Sequence, residues 1–147
     1  MGIRYYAYPV PAELVEQAHD DPRLFLSHDP LMDAWGPREE RPPMLYLDKA
    51  WGPLQQLFAG RRALDLVAGH VRWIGYEYEP YIAVLDPDEV AAVADDLLLV
   101  EDIDDDTAAS LGPLDWSADS INHHLTEARA FTRTLADADR GLVYLIG

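Results

Sequence analysis

The motif Asp48-Lys49-Ala50-Trp51 places a carboxylate, the only lysine of the chain and an indole within four residues. An ammonium group beside an indole face can hold an anionic or carbonyl group of a ligand. Asp48, Lys49 and Trp51 are therefore candidate ligand-binding residues. The alternative is that Asp48 caps a helix and Lys49 forms a surface ion pair, which contributes little to stability.

A second candidate segment, residues 73–81, interleaves aromatic and acidic side chains around a glycine. In a strand, Glu77 and Glu79 would share one face, and paired carboxylates can perform acid–base chemistry or hold a cation. An edge strand with outward-facing glutamates would explain the same residues. A functional site here would require Tyr76, Glu77 and Glu79 to converge with Lys49 on one cleft.

No residue is assigned as catalytic or metal-binding, and no cofactor is predicted. The chain has no cysteine, which excludes thiolate chemistry and zinc ribbons. In residues 101–106, Asp102, Asp104 and Asp106 alternate as the calcium ligands of an EF-hand loop do. That loop needs glycine at its sixth position and glutamate at its twelfth, where this chain has Thr107 and Pro113. Because His123 and His124 are adjacent on a predicted helix, their side chains point about 100° apart and cannot share a metal ion.

Charge is the most unusual global property of the sequence. The formal net charge is −16, and residues 73–128 contain no lysine or arginine. Nucleic acid and anionic membranes are excluded as partners, since binding them requires a basic surface. The acidic stretch is either a solvated face that aids solubility or a surface that engages a basic protein partner.

Targeting signals and membrane spans are not evident. The longest apolar runs, such as residues 142–146, are far shorter than the roughly 20 residues that span a bilayer. The N-terminus does not have the pattern of a secretory signal. We therefore expect a cytoplasmic protein.

The hydrophobic pattern predicts one domain, residues 1–147, of the α/β or α+β class, in which helices cover a mixed β-sheet. Residues 29–43 hold four prolines and are predicted to form an irregular loop. Asp86-Pro87-Asp88-Glu89 has the form of a helix-capping box. Strands are predicted at residues 3–8, 81–85 and 142–146, the last buried on both faces, and helices from residue 11, at 48–58, from residue 87 and at 119–137.

Four segments together resemble the YfbM-like family of uncharacterised bacterial proteins, a domain of unknown function. They are Met1-Gly2-Ile3 with residues 10–14, residues 47–51, residues 78–90, and the closing helix with residues 141–145. The most specific of them is Asp-Lys-Ala-Trp. The family usually continues this motif as His-Gly-Leu-His, whereas Gly52-Pro53-Leu54-Gln55 stands here. The resemblance implies a three-layer α/β sandwich and no established activity.

Two functional hypotheses follow, and the sequence favours the first. The chain is a non-enzymatic binding or interaction protein, immunity-like or regulatory, whose acidic surface engages a basic partner. The alternative is a small-molecule binder or enzyme with a cleft near Lys49, Trp51, Glu77 and Glu79. Exposed aromatic side chains could also support a homodimer.

Overall fold

The computed structural model describes residues 2–112 and 115–147; Met1 of the resemblance and Pro113 of the acidic stretch lie outside the described residues. The strands in this part of the chain are β1 (Tyr5–Val10), β2 (Leu45–Asp48), β3 (Arg72–Ile74), β4 (Glu77–Glu79), β5 (Tyr81–Leu85) and β6 (Gly141–Ile146). The helices are α1 (Val15–Asp20), α2 (Pro30–Trp35), α3 (Trp51–Leu57), α4 (Pro87–Leu97), α5 (Asp105–Ala109) and α6 (Ala118–Asp137). Short 3₁₀ turns lie at Ala12–Leu14, Pro22–Phe25, Arg38–Glu40 and Arg62–Leu66.

Four strands form the central sheet in the order β2-β1-β6-β5, and every pairing is antiparallel. The predicted combination of sheet and helices is confirmed, but the predicted mixed sheet is wrong. The reason is the connection between β5 and β6. A single crossover helix would make them parallel, whereas α4 leads the chain away and α6 returns it, so that β6 starts beside the end of β5.

Helices and turns cover both faces of this sheet, which makes three layers. Side chains of β1 and β6 alternate between the faces: Tyr5 and Tyr144 pack in the core beneath α4 and α6, while Tyr8 and Val143 pack in the second core beneath α1 and α2. All residues of β6 except Leu145 are buried. The predicted burial of this strand on both faces is therefore confirmed.

Local signals explain several boundaries. The predicted capping box at Asp86 is present at the start of α4, and the predicted helix at residues 119–137 is α6. Strand β1 continues through Pro9, where a stop was predicted. Its pairing with β2 ends at Ala7, so the missing N–H of Pro9 faces no partner strand.

Two other predictions for the first half of the chain are wrong. Residues 29–43 contain α2, which Asp29 caps by accepting a hydrogen bond from the backbone N–H of Met32. The helix predicted from residue 48 begins at Trp51, because Leu45–Asp48 is strand β2. Asp48 turns the chain between the two with a left-handed backbone, φ 49°.

Strands β3 and β4 form a separate hairpin in which every strand residue is exposed. Ile74 pairs with Glu77, which leaves a two-residue turn whose Gly75 has φ 64°. Glycine adopts this conformation without steric cost, as such tight hairpin turns require. No helix in the described residues is long and apolar enough to cross a membrane.

Candidate functional site

A cleft of about 520 Å³ lies at the N-terminal end of α3. Its volume falls within the range of small-molecule sites. Its walls come from four separated parts of the chain: the N-terminal segment, the start of α3, the segment before β3, and the segment before α6. Among the described residues it is lined by Gly2, Ile3, Lys49, Trp51, Gly52, Pro53, Gln55, Gln56, His70, Leu111, Gly112 and Trp116.

Trp51 is the first residue of α3, and the fold fixes its ring. The indole Nε1–H donates a hydrogen bond to the carbonyl oxygen of Ile3 at 3.1 Å. The imidazole of His70 stands edge-on to the indole, with ring centroids 6.0 Å apart and an interplanar angle of 76°. Since the N–H group of Trp51 is already used, the indole offers the cleft its ring and no donor.

Lys49 extends along the N-terminal segment at the edge of the cleft. A Cβ atom on Gly2 would lie 2.2 Å from Cε of Lys49, so a side chain at position 2 would displace the end of the lysine from this place. Asp48 does not pair with Lys49, because its carboxylate accepts a hydrogen bond from Nε of Arg4 at 3.0 Å. Lys49 forms no ion pair with any carboxylate in the described part of the chain.

The structure contradicts the alternative interpretation of the motif, in which Asp48 caps a helix and Lys49 forms a surface ion pair. Helix α3 follows Ala50, which has no capping side chain, and Asp48 lies two residues earlier in strand β2. Asp48 is thus an ion-pair partner of Arg4 and not a helix cap, and Lys49 is not part of a surface ion pair.

Gln55 holds the wall that carries His70. Its side-chain Nε2 donates to the carbonyl oxygens of Val67 at 2.6 Å and Gly69 at 2.8 Å. These bonds connect α3 to the segment directly before His70. Gln55 occupies the last position of the motif, where the resemblance led us to expect histidine, and a primary amide is suited to this place because it can donate twice.

The structure does not bring the second predicted group into this cleft. Tyr76, Glu77 and Glu79 belong to the exposed β3–β4 hairpin and are not among the cleft-lining residues. Tyr76 is fully exposed at the turn, and Glu79 pairs with Arg72 on the neighbouring strand at 3.1 Å. The six predicted site residues therefore divide into Lys49 and Trp51 at the cleft, Asp48 beside it on Arg4, and three on the hairpin.

Sequence reasoning missed His70, Gln56 and Trp116. Gln56 lies on the same helix as Trp51, whereas no spacing relates His70 and Trp116 to the Lys49 motif, and only the tertiary fold brings these two to it. A lone histidine before a short strand and a lone tryptophan before a helix carry no signal of their own.

A second concavity, of about 670 Å³, lies beside strand β6. It contains none of the predicted site residues, and His28 provides the only ring system other than a proline among its described lining residues. The cleft at α3, with two indoles and an imidazole, has the denser set of ligand-binding groups.

Much of the acidic stretch has an internal role. Asp104 caps α5 by accepting a hydrogen bond from the N–H of Thr107 at 2.8 Å. The described residues contain no cluster of three or more His, Cys, Asp or Glu side chains that could hold a metal ion. A hydrogen bond from the backbone N–H of Ala63, assisted by Arg61, lowers the pKa of Asp96. Five carboxylates of the stretch pair with arginines: Glu79 with Arg72 at 3.1 Å, Asp95 with Arg133 at 3.3 Å, Asp96 with Arg61 at 2.9 Å, Asp102 with Arg129 at 3.0 Å, and Glu127 with Arg38 at 3.3 Å.

Neither a family model nor a curated protein sequence matches this chain. Among solved structures it is similar to the crystal structure of YfbM, a protein of unknown function from Escherichia coli. The two share 16% sequence identity with a TM-score of 0.61, and the match covers 99% of this chain and 100% of that one. The chain has the YfbM fold. The resemblance to YfbM-like proteins stated from the sequence is thus confirmed at the level of the fold, and the likeness carries no function.

Proposed function

We propose that this protein binds a small molecule in the cleft at the start of α3. One observation carries the proposal: Lys49 and Trp51 line one concavity of about 520 Å³ together with His70 and Trp116, which are distant from them in sequence. Clefts of this size that combine aromatic walls with a few polar groups are typical ligand sites. Trp51 and the segment before His70 are each held by hydrogen bonds, which limits the entropy lost on binding.

The groups at the cleft favour binding over catalysis. Its described lining residues include no serine, threonine, aspartate or glutamate, so they offer no hydroxyl or carboxylate nucleophile. His70 has no carboxylate hydrogen-bonded to it among the described residues, and an oriented imidazole is the usual requirement of a general base.

The competing hypothesis of an acidic interaction surface has less support in the structure. Five of its carboxylates pair with arginines of the same chain, and Asp86 and Asp104 cap helices. Such carboxylates are less available to a basic partner. Four properties stay predictions: a basic partner, a homodimer, a single domain and a cytoplasmic location.

The four tryptophans allow a direct test by NMR. Trp51 and Trp116 line the cleft, whereas Trp35 and Trp73 are 63% and 62% exposed and do not line it. We would titrate ¹⁵N-labelled protein with a panel of planar aromatic fragments and follow the four indole N–H signals. Binding in the cleft predicts saturable shifts of the Trp51 and Trp116 signals, with Trp35 and Trp73 as internal controls.

Substitution provides the matched comparison. Trp116→Leu should weaken the binding of any fragment that shifts the cleft signals, and Trp73→Leu on the hairpin should not. The proposal is refuted if no fragment shifts the cleft indoles, or if all four indoles respond equally, as expected of nonspecific adsorption.

A further inference from the structure

The cleft reverses the charge of the surrounding protein. Acidic residues make up 27 of 147 positions, so twelve residues taken at random would include about two. The twelve described lining residues include none, and they contain Lys49 and His70. A chain of net charge −16 thus has no carboxylate among the described lining residues of this cleft, where carboxylates would repel an anion.

The ammonium group of Lys49 is available to a ligand. The neighbouring Asp48 is bound to Arg4, and no other carboxylate in the described part of the chain pairs with Lys49. Gly2 provides the room that lets the lysine lie along the edge of the cleft. A ligand in the cleft contacts Lys49, whereas no carboxylate is a described lining residue, and salt screens the charges that lie farther away.

The same geometry limits the charge and shape of the ligand. One lysine supplies one positive charge, which balances a single negative charge but leaves a multiply charged phosphate uncompensated. The indole of Trp51 presents its ring because its N–H is bound to Ile3, and Trp116 contributes a second indole. Flat rings bind such surfaces by stacking.

We infer that the ligand of this cleft is a planar ring compound bearing a single negative charge, held by Lys49 and stacked against the indoles. The inference rests on the proposed binding function and adds the ligand's chemical class. A carboxylate and a sulfonate share this chemistry.

Three probes of one shape and different charge test the inference: 1-naphthoate, the neutral 1-naphthamide and the cationic 1-naphthylmethylammonium. Dissociation constants are measured from the indole signals of Trp51 and Trp116 at about pH 7.5 in ~0.1 M salt. We expect 1-naphthoate to bind about three- to tenfold more tightly than 1-naphthamide, and the cation to bind most weakly. Lys49→Gln should remove the preference for 1-naphthoate over 1-naphthamide.

Two controls keep the result interpretable. Arg72→Gln removes one positive charge from the hairpin and should not alter the preference. Because Lys49 is the only lysine, reductive ¹³C-methylation of the unsubstituted protein gives one dimethyl-lysine signal, which 1-naphthoate should shift more than 1-naphthamide does.

The outcomes separate the two proposals. Cleft indole shifts with equal affinity for all three probes, or a charge preference that survives in Lys49→Gln, would overturn the inference and leave the binding function intact. No shift of the cleft indoles with any probe would overturn the binding function itself, and the inference with it.

Discussion

Replacing Gln55 with leucine should loosen the wall of the cleft that carries His70. The amide donates to the carbonyl oxygens of Val67 and Gly69, both in buried residues. Leucine has a similar size but no donor, so both carbonyls lose a partner. A buried carbonyl left without its hydrogen bond costs about 1–2 kcal/mol, which gives about 2–4 kcal/mol for the pair.

The measurement is thermal and urea unfolding beside Gln56→Leu, the same change one residue later. Gln56 is exposed and makes no side-chain hydrogen bond in the described part of the chain, so its substitution should alter the free energy of unfolding by no more than about 0.5 kcal/mol. For a chain of this length, Gln55→Leu should lower Tm by about 5–12 °C. Equal effects of the two substitutions would refute the role assigned to Gln55.

Gln55→Glu adds a pH signature that a packing defect would not give. At neutral pH its carboxylate would face two carbonyl oxygens, whereas the protonated acid can donate to one of them. The pKa of this glutamate in the folded state should therefore rise above its unfolded value of about 4.3. A raised folded-state pKa gives a contribution to stability that is present below the unfolded value and lost as the pH rises through the folded value. Gln55→Glu should therefore approach the stability of the unsubstituted protein near pH 4 and fall below it toward pH 7; a constant difference over this range would argue against the geometry.

Two further predictions concern parts of the fold outside the cleft. The N–H of Ala63 lowers the pKa of Asp96, so the contribution of Asp96 to stability is present at neutral pH and is lost as the pH falls below about 4. In urea unfolding, Asp96→Asn should cost about 1 kcal/mol at pH 7 and nothing near pH 2. The control is Asp95→Asn at a more exposed carboxylate, which should have little effect at either pH. Gly75→Ala places a side chain at φ 64° and should cost the hairpin about 1–2 kcal/mol, measured as faster amide exchange in β3 and β4. The control is Gly52→Ala in helix α3, where no atom lies within 4 Å of the added methyl group; this substitution should not destabilise the fold.

Strong local patterns made part of the fold predictable. Helix α6 follows from apolar residues at three- and four-residue steps, and α4 from a capping box whose residues fix its first turn. Strand β2 was missed because the turn after it depends on a left-handed Asp48, a conformation that aspartate permits and does not require. The antiparallel sheet was missed because local pattern does not reveal that α4 and α6 form one two-helix excursion.

The candidate site was predictable only where its residues are neighbours in sequence. Lys49 and Trp51 lie within three positions, so their types alone indicated a charged corner beside an indole. His70 and Trp116 reach the same place through tertiary packing, which no spacing encodes. Tyr76 and Glu77 were grouped with Lys49 and Trp51 by residue type, but the two-residue turn at Gly75 closes their hairpin on itself.

Helix α3 joins the walls of the cleft, so ligand binding should be coupled to the docking of both walls on this helix. Trp51 holds the N-terminal segment through Ile3, and Gln55, one turn later, holds the segment before His70. A ligand between these walls would bind only when both segments are docked on α3. Its binding free energy would therefore add to the stability of the folded chain, by about 2.7 kcal/mol at a ligand concentration a hundred times the dissociation constant. Loss of either anchor, the Trp51 hydrogen bond or those of Gln55, should weaken binding even though neither touches the ligand. The folded protein now holds both walls in place, and without an anchor part of the binding free energy would be needed to order a wall.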